Sequence, residues 1–433
     1  MVCVTYNQEA MTIADRIAVM HESWTEELEP PFELYDAPAN LSMAGFVGSP
    51  VGPVARTRPH RSLRCRDKAE AGAGRRGRIV IHHREQAMRY AHDFQTILGR
   101  NLVGELKNFV HRPFLLVTME DIWPKFEREL EGAQYHRYFV RSVDDKVLLE
   151  DAAKLPPVEA VVGLGGGMAV DTAKFFSWKK RLPLFQIQTS LSMNASWGQR
   201  AGVRMNGVVR YIGWAVPEAI YIDYDVIRAA PPQLNYSGIG DILCFHTGVL
   251  DWRYAAAVSK CEAKWPYDEA TARASLDKVE NTILYADEIH QLTDKGIEVL
   301  IDGLRWGTSF HGNGWNPRHI EGTDHFFFYS LEYETGKKFL HGQPVCLGVY
   351  LGSLMHKSRA EEMLKTIHRI GLDIRPEAMG VTWKDVTAAL INLRAYVHRN
   401  GLWHSIAHDT EIKPDFVERI RDDIEAVYGP WGS

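Results

Sequence analysis

The sequence predicts an α/β fold followed by an all-α part, and three observations predict it. Short apolar runs that suit buried strands alternate with helix-compatible segments, which favours a mostly parallel sheet. One of these runs, 158–164, ends in Gly165-Gly166-Gly167 and then turns into a helix-compatible segment. After Pro231-Pro232 the chain changes to long helical stretches. We therefore expect a sheet domain at 79–235 and a helical domain at 236–433.

The elements follow from the hydrophobic spacing of each segment. Apolar runs predict five strands, at 79–81, 114–118, 158–164, 184–188 and 219–222. Residues 87–109 are predicted to be helical because Leu98, Leu102, Leu106 and Val110 recur at four-residue spacing, and 123–130 is predicted as the next helix. The helical stretches of the second part are predicted at 239–260, 267–307, 344–370, 383–398 and 413–428.

Residues 1–78 have a different composition from the rest of the chain. Prolines interrupt any long element there, and from Arg56 to Arg78 arginines alternate with small residues. We interpret this segment as a poorly ordered, solvated extension. A targeting or nucleic-acid-binding arm is the alternative.

The overall composition excludes several classes of protein. The chain of 433 residues is 45% hydrophobic with a formal net charge of −5, so no global basic field recruits nucleic acid. Its five cysteines are scattered, which argues against a disulfide framework and for a reducing compartment. No apolar run approaches the ~20 residues needed to span a bilayer. We expect a cytoplasmic protein without nucleic-acid or membrane partners.

The glycine turn at 165–167 is the first candidate site. Glycine lets the backbone approach a ligand closely, and the free N–H groups at a helix start point at an anion such as a phosphate. A plain tight turn is the alternative reading of this motif alone.

A second candidate site lies in the helical part. Asp241 follows the glycines of Ser237-Gly238-Ile239-Gly240, His325 ends the word Glu321-Gly322-Thr323-Asp324-His325, and His341 precedes a new helix. One carboxylate and two imidazoles suit Zn²⁺, Ni²⁺ or Fe²⁺ and leave positions open for a substrate oxygen. The three residues are far apart in sequence, so on chemistry alone structural histidines are the alternative.

These motifs resemble those of one enzyme superfamily. The word Gly165-Gly166-Gly167-x-x-x-Asp171-x-Ala173-Lys174 is similar to the GGGxxxDxAK signature of iron-containing alcohol dehydrogenases, glycerol dehydrogenase, sn-glycerol-1-phosphate dehydrogenase and, more remotely, dehydroquinate synthase. Asp241, His325 and His341 fall where that superfamily keeps its metal ligands. The words 238–243 and 251–253 look most like the glycerol-1-phosphate dehydrogenase branch, and the resemblance covers roughly 79 to 425.

The resemblance implies a Rossmann-like domain and a helical domain, with NAD or NADP and one divalent metal in the cleft between them. It implies that the cofactor lies against the following residues: Gly165, Gly166, Gly167, Asp171, Thr189, Ser192 and Glu120. Glu120 would contact the adenine ribose, with Asp121 as a weaker candidate, so the choice between NAD and NADP stays open. Ordinary turn hydroxyls are the alternative for Thr189 and Ser192.

The substrate-facing positions depart from the family pattern. Relatives usually have Asp at Asn194 and a second His at Tyr329, and a phenol with a pKa near ~10 is a poor proton relay but a good hydrogen-bond donor. Arg318 matches an arginine of the relatives and would hold an anionic substrate group; a surface arginine is the alternative. The substrate shell is therefore predicted to be rebuilt around a retained metal site.

The predicted function is hydride transfer between NAD(P) and a small alcohol or carbonyl, with a polyol phosphate such as glycerol 1-phosphate as a candidate substrate. Asp241, His325 and His341 are the predicted catalytic groups, acting through the metal. The alternatives are a cyclase similar to dehydroquinate synthase and a non-catalytic homologue that retains the fold. By analogy with the family, a homo-oligomer is expected.

Overall fold

A single parallel sheet organises the first part of the molecule. The computed structural model describes residues 17–21, 24–29, 95–110, 112–205, 208–308 and 316–432. Six strands pair in the order β3-β10-β7-β6-β4-β5, every pair parallel. The strands of the described residues are β1 Ile17–His21, β2 Trp24–Glu29, β3 Thr96–Gly99, β4 Phe114–Thr118, β5 Tyr135–Phe139, β6 Ala160–Gly165, β7 Leu184–Gln188, β8 Ala201–Met205, β9 Val208–Ile212 and β10 Pro217–Asp223.

The central strands are apolar because both faces of the sheet are covered. Every residue of β4, β6 and β7 is buried, as expected where helices pack on both sides of a parallel sheet. Gly165 pairs with Gln188 and Val117 with Gly163, so β4, β6 and β7 end at one edge of the sheet. In open parallel sheets ligands bind at this carboxyl edge.

The second part is helical, as the sequence predicts. The helices of the described residues are α1 Leu106–Phe109, α2 Asp145–Lys154, α3 Gly167–Lys180, α4 Tyr224–Ala229, α5 Pro232–Ser237, α6 Gly240–Ala257, α7 Glu269–Leu284, α8 Ala286–His290, α9 Asp294–Thr308, α10 Thr323–Thr335, α11 Gly342–Met355, α12 Ala360–Ile370, α13 Trp383–Arg399, α14 Ile406–Asp409 and α15 Pro414–Tyr428. A parallel sheet followed by helices confirms the predicted fold class. No described helix has the length and apolarity that crossing a bilayer demands.

Several predicted elements were wrong in kind or extent. The helix predicted at 87–109 is instead strand β3 followed by the single turn of α1, because β3 finds its partner in the distant strand β10. The helix predicted at 123–130 is only a 3-10 turn, Trp123–Lys125. The stretch predicted at 267–307 divides into α7, α8 and α9, and 344–370 divides into α11 and α12. Residues with left-handed backbone, Leu292, Lys357 and Arg359, stand at two of these breaks.

Other elements went unpredicted. They are strand β5, the antiparallel hairpin of β8 and β9, and helices α2, α4, α5, α10 and α14. In the extension predicted at 1–78, β1 and β2 pair as an antiparallel hairpin. The rest of that extension and the strand predicted at 79–81 lie outside the described residues.

The largest buried cluster joins the sheet to the helices. It contains Ile220 and Ile222 of β10 together with Ile242 of α6, Leu304 of α9 and Phe326 of α10. Apolar packing therefore crosses the domain boundary predicted at 235/236, and the division into two domains stays a prediction.

Candidate metal and nucleotide site

Three metal-ligating side chains from distant parts of the chain converge at one point. The donor atoms of Asp241, His325 and His341 all lie within 4.8 Å of one another. His341 Nε2 is 2.9 Å from Asp241 Oδ1, and His325 Nε2 is 3.8 Å from the same oxygen. The structure thus brings together the trio that the sequence singles out.

The trio meets because three helices begin beside one another. Asp241 lies in the first turn of α6, His325 in the first turn of α10, and His341 is the residue that caps the start of α11. The amide groups of a helix start favour a nearby negative charge, which suits the Asp241 carboxylate. Side chains at these three starts therefore share one small polar volume.

Asp324 orients the first histidine of the trio. Its Oδ1 accepts from His325 Nδ1 at 2.5 Å and from the His325 amide at 2.7 Å, while its Oδ2 accepts from Thr247 Oγ1 at 2.5 Å. With Nδ1 engaged in this way, Nε2 is the nitrogen turned to Asp241. A carboxylate behind a histidine ligand is the usual outer-shell partner in metal sites. Sequence reasoning missed Asp324, although it directly precedes His325.

The electrostatics of the trio favour a charged carboxylate. Burial alone would raise the pKa of Asp241, but His341 and His325 hold the pKa of this carboxyl well below its usual range. Burial alone would lower the pKa of His325, whereas its hydrogen bonds to Asp241 and Asp324 raise it. The site is thus built to hold positive charge against buried carboxylates.

The donor set fits a divalent metal at the trio better than at a neighbouring group. Cys244, Asp324 and His325 also lie within ligand distance of one another. However, burial raises the pKa of the Cys244 thiol well above its ordinary value, and a metal binds the thiolate rather than the thiol. Asp241, His325 and His341 offer one carboxylate and two imidazoles, the ligand types of Zn²⁺, Fe²⁺ and Ni²⁺ sites.

The glycine turn lies at the carboxyl edge of the sheet. Gly165 ends β6, and α3 begins at Gly167. A Cβ on Gly165, whose φ is +156°, would lie 2.7 Å from the Cβ of Ala169, so only glycine fits this turn. The turn therefore presents the start of α3 at the edge where parallel sheets bind ligands.

The other predicted cofactor residues lie around this turn or behind it. The amide of Thr189 donates to the Gly165 carbonyl at 3.1 Å, which places the second loop beside the glycines. Ser192 is buried in that loop, and Glu120 is exposed just beyond β4, the neighbour of β6. Asp171 instead pairs with Lys174, its carboxylate 2.6 Å from the Lys174 Nζ, and is turned toward Gly202 rather than the turn.

One hydrogen bond connects the glycine-turn part to the metal trio. The backbone amide of Asn194 donates to Asp241 Oδ2 at 3.0 Å. Asn194 thus contacts the predicted metal site through its main chain, whereas the sequence singled out its side chain. The loop 189–194 consequently runs from the glycine turn to the trio.

Of the other two predicted substrate residues, one lies at the trio and one does not. The ring centroid of Tyr329 is 6.1 Å from that of His325, and burial raises the pKa of Tyr329, so its phenol keeps its proton. Arg318 is 1% exposed, with its Nη2 2.9 Å from the His404 carbonyl and its Nε 3.6 Å from Glu262. These partners follow the far ends of α6 and α13, so the structure does not bring Arg318 to the trio.

A further carboxyl near the trio went unnoticed in the sequence. Burial raises the pKa of Glu321. Among its charged neighbours, His325 and His341 lower this pKa, whereas Asp324 and Asp241 raise it. Its position just ahead of the Gly322 that caps α10 was the available signal.

Comparison with known proteins identifies the family. The sequence model described as iron-containing alcohol dehydrogenase matches residues 117–231. A glycerol-1-phosphate dehydrogenase [NAD(P)+] of Thermofilum pendens is 30% identical over 292 residues, which cover 65% of this chain and 82% of that protein. A protein of the same name from Aeropyrum pernix is 31% identical over 236 residues, covering 54% of this chain and 65% of its own.

Solved structures agree on the fold. Glycerol dehydrogenase from Schizosaccharomyces pombe superposes with a TM-score of 0.58 at 18% identity, covering 77% of this chain and 88% of that one. Sulfoacetaldehyde reductase from Bifidobacterium kashiwanohense, solved with NAD+, has a TM-score of 0.56 at 12% identity, covering 77% and 98%. The chain therefore belongs to the iron-containing alcohol dehydrogenase family, whose oxidoreductases use NAD(P) and a divalent metal, as its sequence predicts.

Proposed function

We propose that this protein transfers a hydride between NAD(P) and a small alcohol or carbonyl compound in the cleft between the glycine turn and the trio Asp241, His325 and His341. The observation that carries the proposal is the convergence of these three donors, joined by the Asn194 amide to the loop beside the turn. A nucleotide edge and a metal-ligating cluster in contact are what metal-assisted hydride transfer requires.

Each group has a task in this proposal. Asp241, His325 and His341 would hold the metal, which when bound supplies Lewis acidity that favours an alkoxide over an alcohol. The amides at the start of α3 would hold the cofactor pyrophosphate, and the Thr189 and Ser192 hydroxyls would orient the nicotinamide half. Glu120 would accept from the ribose hydroxyls, so we propose a preference for NAD over NADP.

The substrate proposal starts from the named relatives. Glycerol 1-phosphate and its ketone are the first candidates because the curated relatives carry that activity in their name. A phosphate needs cationic or amide donors, yet Arg318 lies in the helical part, where its Nη2 donates to the His404 carbonyl, and Glu321 adds a carboxyl near the trio. We therefore propose that the substrate is a small polyol or its phosphate. Comparing each phosphorylated substrate with its unphosphorylated counterpart shows whether the phosphate is recognised.

The test uses the full chain reconstituted with Zn²⁺, Ni²⁺ or Fe²⁺ in turn. Oxidation of NADH and NADPH is followed with dihydroxyacetone phosphate and with dihydroxyacetone as matched substrates. The reverse reaction is followed with glycerol 1-phosphate and with glycerol. We expect turnover with at least one metal and one of these pairs. Failure with every small carbonyl and every metal would overturn the proposal.

His325→Ala serves as the variant and His136→Ala, at an exposed histidine of β5, as its control. We expect His325→Ala to lose bound metal and to lower kcat/KM by about a thousandfold or more, since the Lewis acid supplies several kcal/mol. Intact metal content and activity in His325→Ala would contradict the assigned ligand role. Net NADH formation in steady state separates the dehydrogenase from a cyclase that recycles its NADH.

We also propose that the protein is a cytoplasmic homo-oligomer, by analogy with its family. Light scattering on the purified chain measures the assembly directly, and a monomer at micromolar concentration would contradict it.

A further inference from the structure

Lys174 is a buried lysine whose Nζ lies within hydrogen-bond distance of four protein oxygen atoms. Its side chain is 2% exposed and lies in α3, seven residues after the glycine at which that helix starts. Its Nζ is 2.6 Å from Asp171 Oδ1, 2.9 Å from the Ala195 carbonyl, 2.5 Å from the Arg200 carbonyl and 3.3 Å from the Gly198 carbonyl. Its three N–H donors are thus shared among four oxygens.

A buried lysine lowers the stability of the folded protein unless its contacts offset the free energy lost when its charge leaves water. Removing an amine from water costs several kcal/mol, and a methionine of similar length would fill the same space without that penalty. The buried charge is retained against this penalty, and three of its four acceptors are carbonyls of one short loop. The side chain therefore acts as a clamp on the loop 195–200.

The clamped loop adjoins the contact to the metal trio. Residues Ala195–Trp197 form a 3-10 turn in which the Trp197 amide donates to the Asn194 carbonyl at 3.1 Å. The amide of Asn194 itself donates to Asp241 Oδ2 at 3.0 Å. Lys174 is thus connected to a predicted metal ligand by its hydrogen bond to the Ala195 carbonyl, the short backbone link from Ala195 to Asn194, and the hydrogen bond from the Asn194 amide to Asp241.

We propose that Lys174 is a positioning residue that sets the Asn194 amide against Asp241 and thereby tunes the affinity of the trio for its divalent metal. The inference rests on the proposed function for the identity of the trio. It assigns to the lysine of the glycine-rich word a role in the metal half of the cleft, with no contact to the nucleotide. Asp171 serves in turn as the counter-charge that makes the buried amine tolerable.

The first experiment compares Lys174→Met with Lys180→Met, an exposed lysine at the end of the same helix. Metal affinity is measured by chelator competition with Zn²⁺ alone, and ADP affinity by calorimetry. Since Lys174 acts through the loop, we expect the Zn²⁺ dissociation constant of Lys174→Met to rise by about tenfold or more. ADP affinity is expected to stay within about twofold in both variants. An unchanged Zn²⁺ affinity, or an equal loss of ADP affinity, would overturn the proposal.

Hydrogen exchange supplies a readout that needs no metal. In the metal-free protein, the peptide covering 193–200 is expected to exchange faster in Lys174→Met than in the wild type, while peptides of α12 keep their protection. If the wild type binds no divalent metal, the proposed function fails, yet this exchange difference still reports whether Lys174 holds the loop. Equal exchange in both proteins would show that it does not.

A second pair of variants covers the case in which Lys174→Met folds poorly. Asn194 has a φ of −83°, close to the angle of proline, so Asn194→Pro removes the amide donor while Asn194→Ala keeps it. We expect Asn194→Pro to weaken Zn²⁺ binding by about tenfold relative to Asn194→Ala. In the double variant with Lys174→Met the two losses should not add, because both act through one hydrogen bond. Full additivity, or no difference between the proline and alanine variants, would contradict this connection.

Discussion

At the scale of single residues, Asp324 decides which nitrogen of His325 faces Asp241. Its carboxylate binds His325 Nδ1 at 2.5 Å and is completely buried. Asp324→Asn removes this charge while keeping the shape of the side chain. We expect Zn²⁺ affinity to fall by about 10- to 100-fold, because the outer-shell carboxylate fixes the tautomer and strengthens the ligand.

Asp302→Asn, at an exposed carboxylate of α9 paired with Lys278, is the matched control and should leave Zn²⁺ binding unchanged. Chelator competition measures both variants. Wild-type affinity in Asp324→Asn would show that the negative charge of Asp324 is not needed to hold His325 for metal binding.

His408 makes the stability of the helical part depend on pH. The amide of Ser405 lies 3.2 Å from His408 Nδ1, so that nitrogen accepts and the ring is neutral. Burial, followed by the neighbouring His404 and His398, lowers the pKa of His408 to about 4 from an ordinary value of 6.5. The unfolded chain therefore binds more protons than the folded one between these two pH values, and stability is lost as the pH falls from 6.5 toward 4.

After a discount for partial solvent screening, we expect His408 to account for about 1–3 kcal/mol of that loss. Urea unfolding at pH 7 and pH 4.5 measures the loss, and His408→Gln should reduce the difference between the two pH values. The exposed His136→Gln should leave the difference unchanged. An identical pH dependence in wild type and His408→Gln would contradict this assignment.

The trio and its surroundings were predictable from the sequence to different extents. Asp241, His325 and His341 carry recognisable side-chain chemistry inside short words that resemble a family. Lys174 and Asn194 stand in words that the sequence singles out, but their contacts, with the carbonyls of 195–200 and through one backbone amide, involve main-chain groups that a sequence pattern does not specify. The substrate role of Arg318 came from a matching word and stays a prediction; in the structure its Nη2 donates to the His404 carbonyl and its Nε lies 3.6 Å from Glu262.

At the scale of elements, one carboxylate in α6 holds the starts of two other helices. Asp251 is 1% exposed and accepts from the amide of Thr323, which begins α10, and from the amide of Ile406, which begins α14. His356, at the end of α11, lies 2.9 Å from the same carboxylate. Four helices thus depend on a single buried group.

Asp251→Ala should lower the free energy of unfolding by about 3–5 kcal/mol, because it leaves two helix-start amides and a buried histidine without their acceptor. The neighbouring Arg253→Ala removes an exposed ion pair with Glu269 and should change it by less than about 1 kcal/mol. Urea unfolding measures both variants. A loss below 1 kcal/mol in Asp251→Ala would show that water replaces the carboxylate.

Element predictions succeeded where the chain is uniformly buried. Every residue of strands β4 and β7 is buried, and the structure places both strands at the residues predicted, 114–118 and 184–188. Strand β3 was mistaken for a helix because Leu98, Leu102 and Leu106 share helical spacing, although they lie in a strand, a turn and a helix. Only the distant partner β10 decides that segment, and a local pattern carries no information about such a partner.

At the scale of the whole molecule, the two parts should unfold together. The largest buried cluster runs from β10 into α6, α9 and α10, and the Asn194–Asp241 hydrogen bond crosses the same boundary. Removal of metal by a chelator should therefore shift one transition to lower temperature without splitting it. At a metal concentration of a hundred times Kd, the lost stabilisation is about 2.7 kcal/mol.

Differential scanning calorimetry with and without chelator checks this expectation, and addition of excess Zn²⁺ should restore the original transition. Two separate transitions, of which only the later one responds to the chelator, would contradict it. They would instead favour independent domains divided near the predicted boundary at 235/236.

The strand order of the sheet has a consequence for the protein during its synthesis. β10 lies between β3 and β7, so both of these strands leave the ribosome before the strand that joins them. Until Pro217–Asp223 has emerged, β7 offers an apolar, unpaired edge to any other chain nearby. The nascent polypeptide thus carries an unpaired strand edge while residues 189–216 are translated, and an exposed edge of this kind is a site of aggregation that chaperones protect.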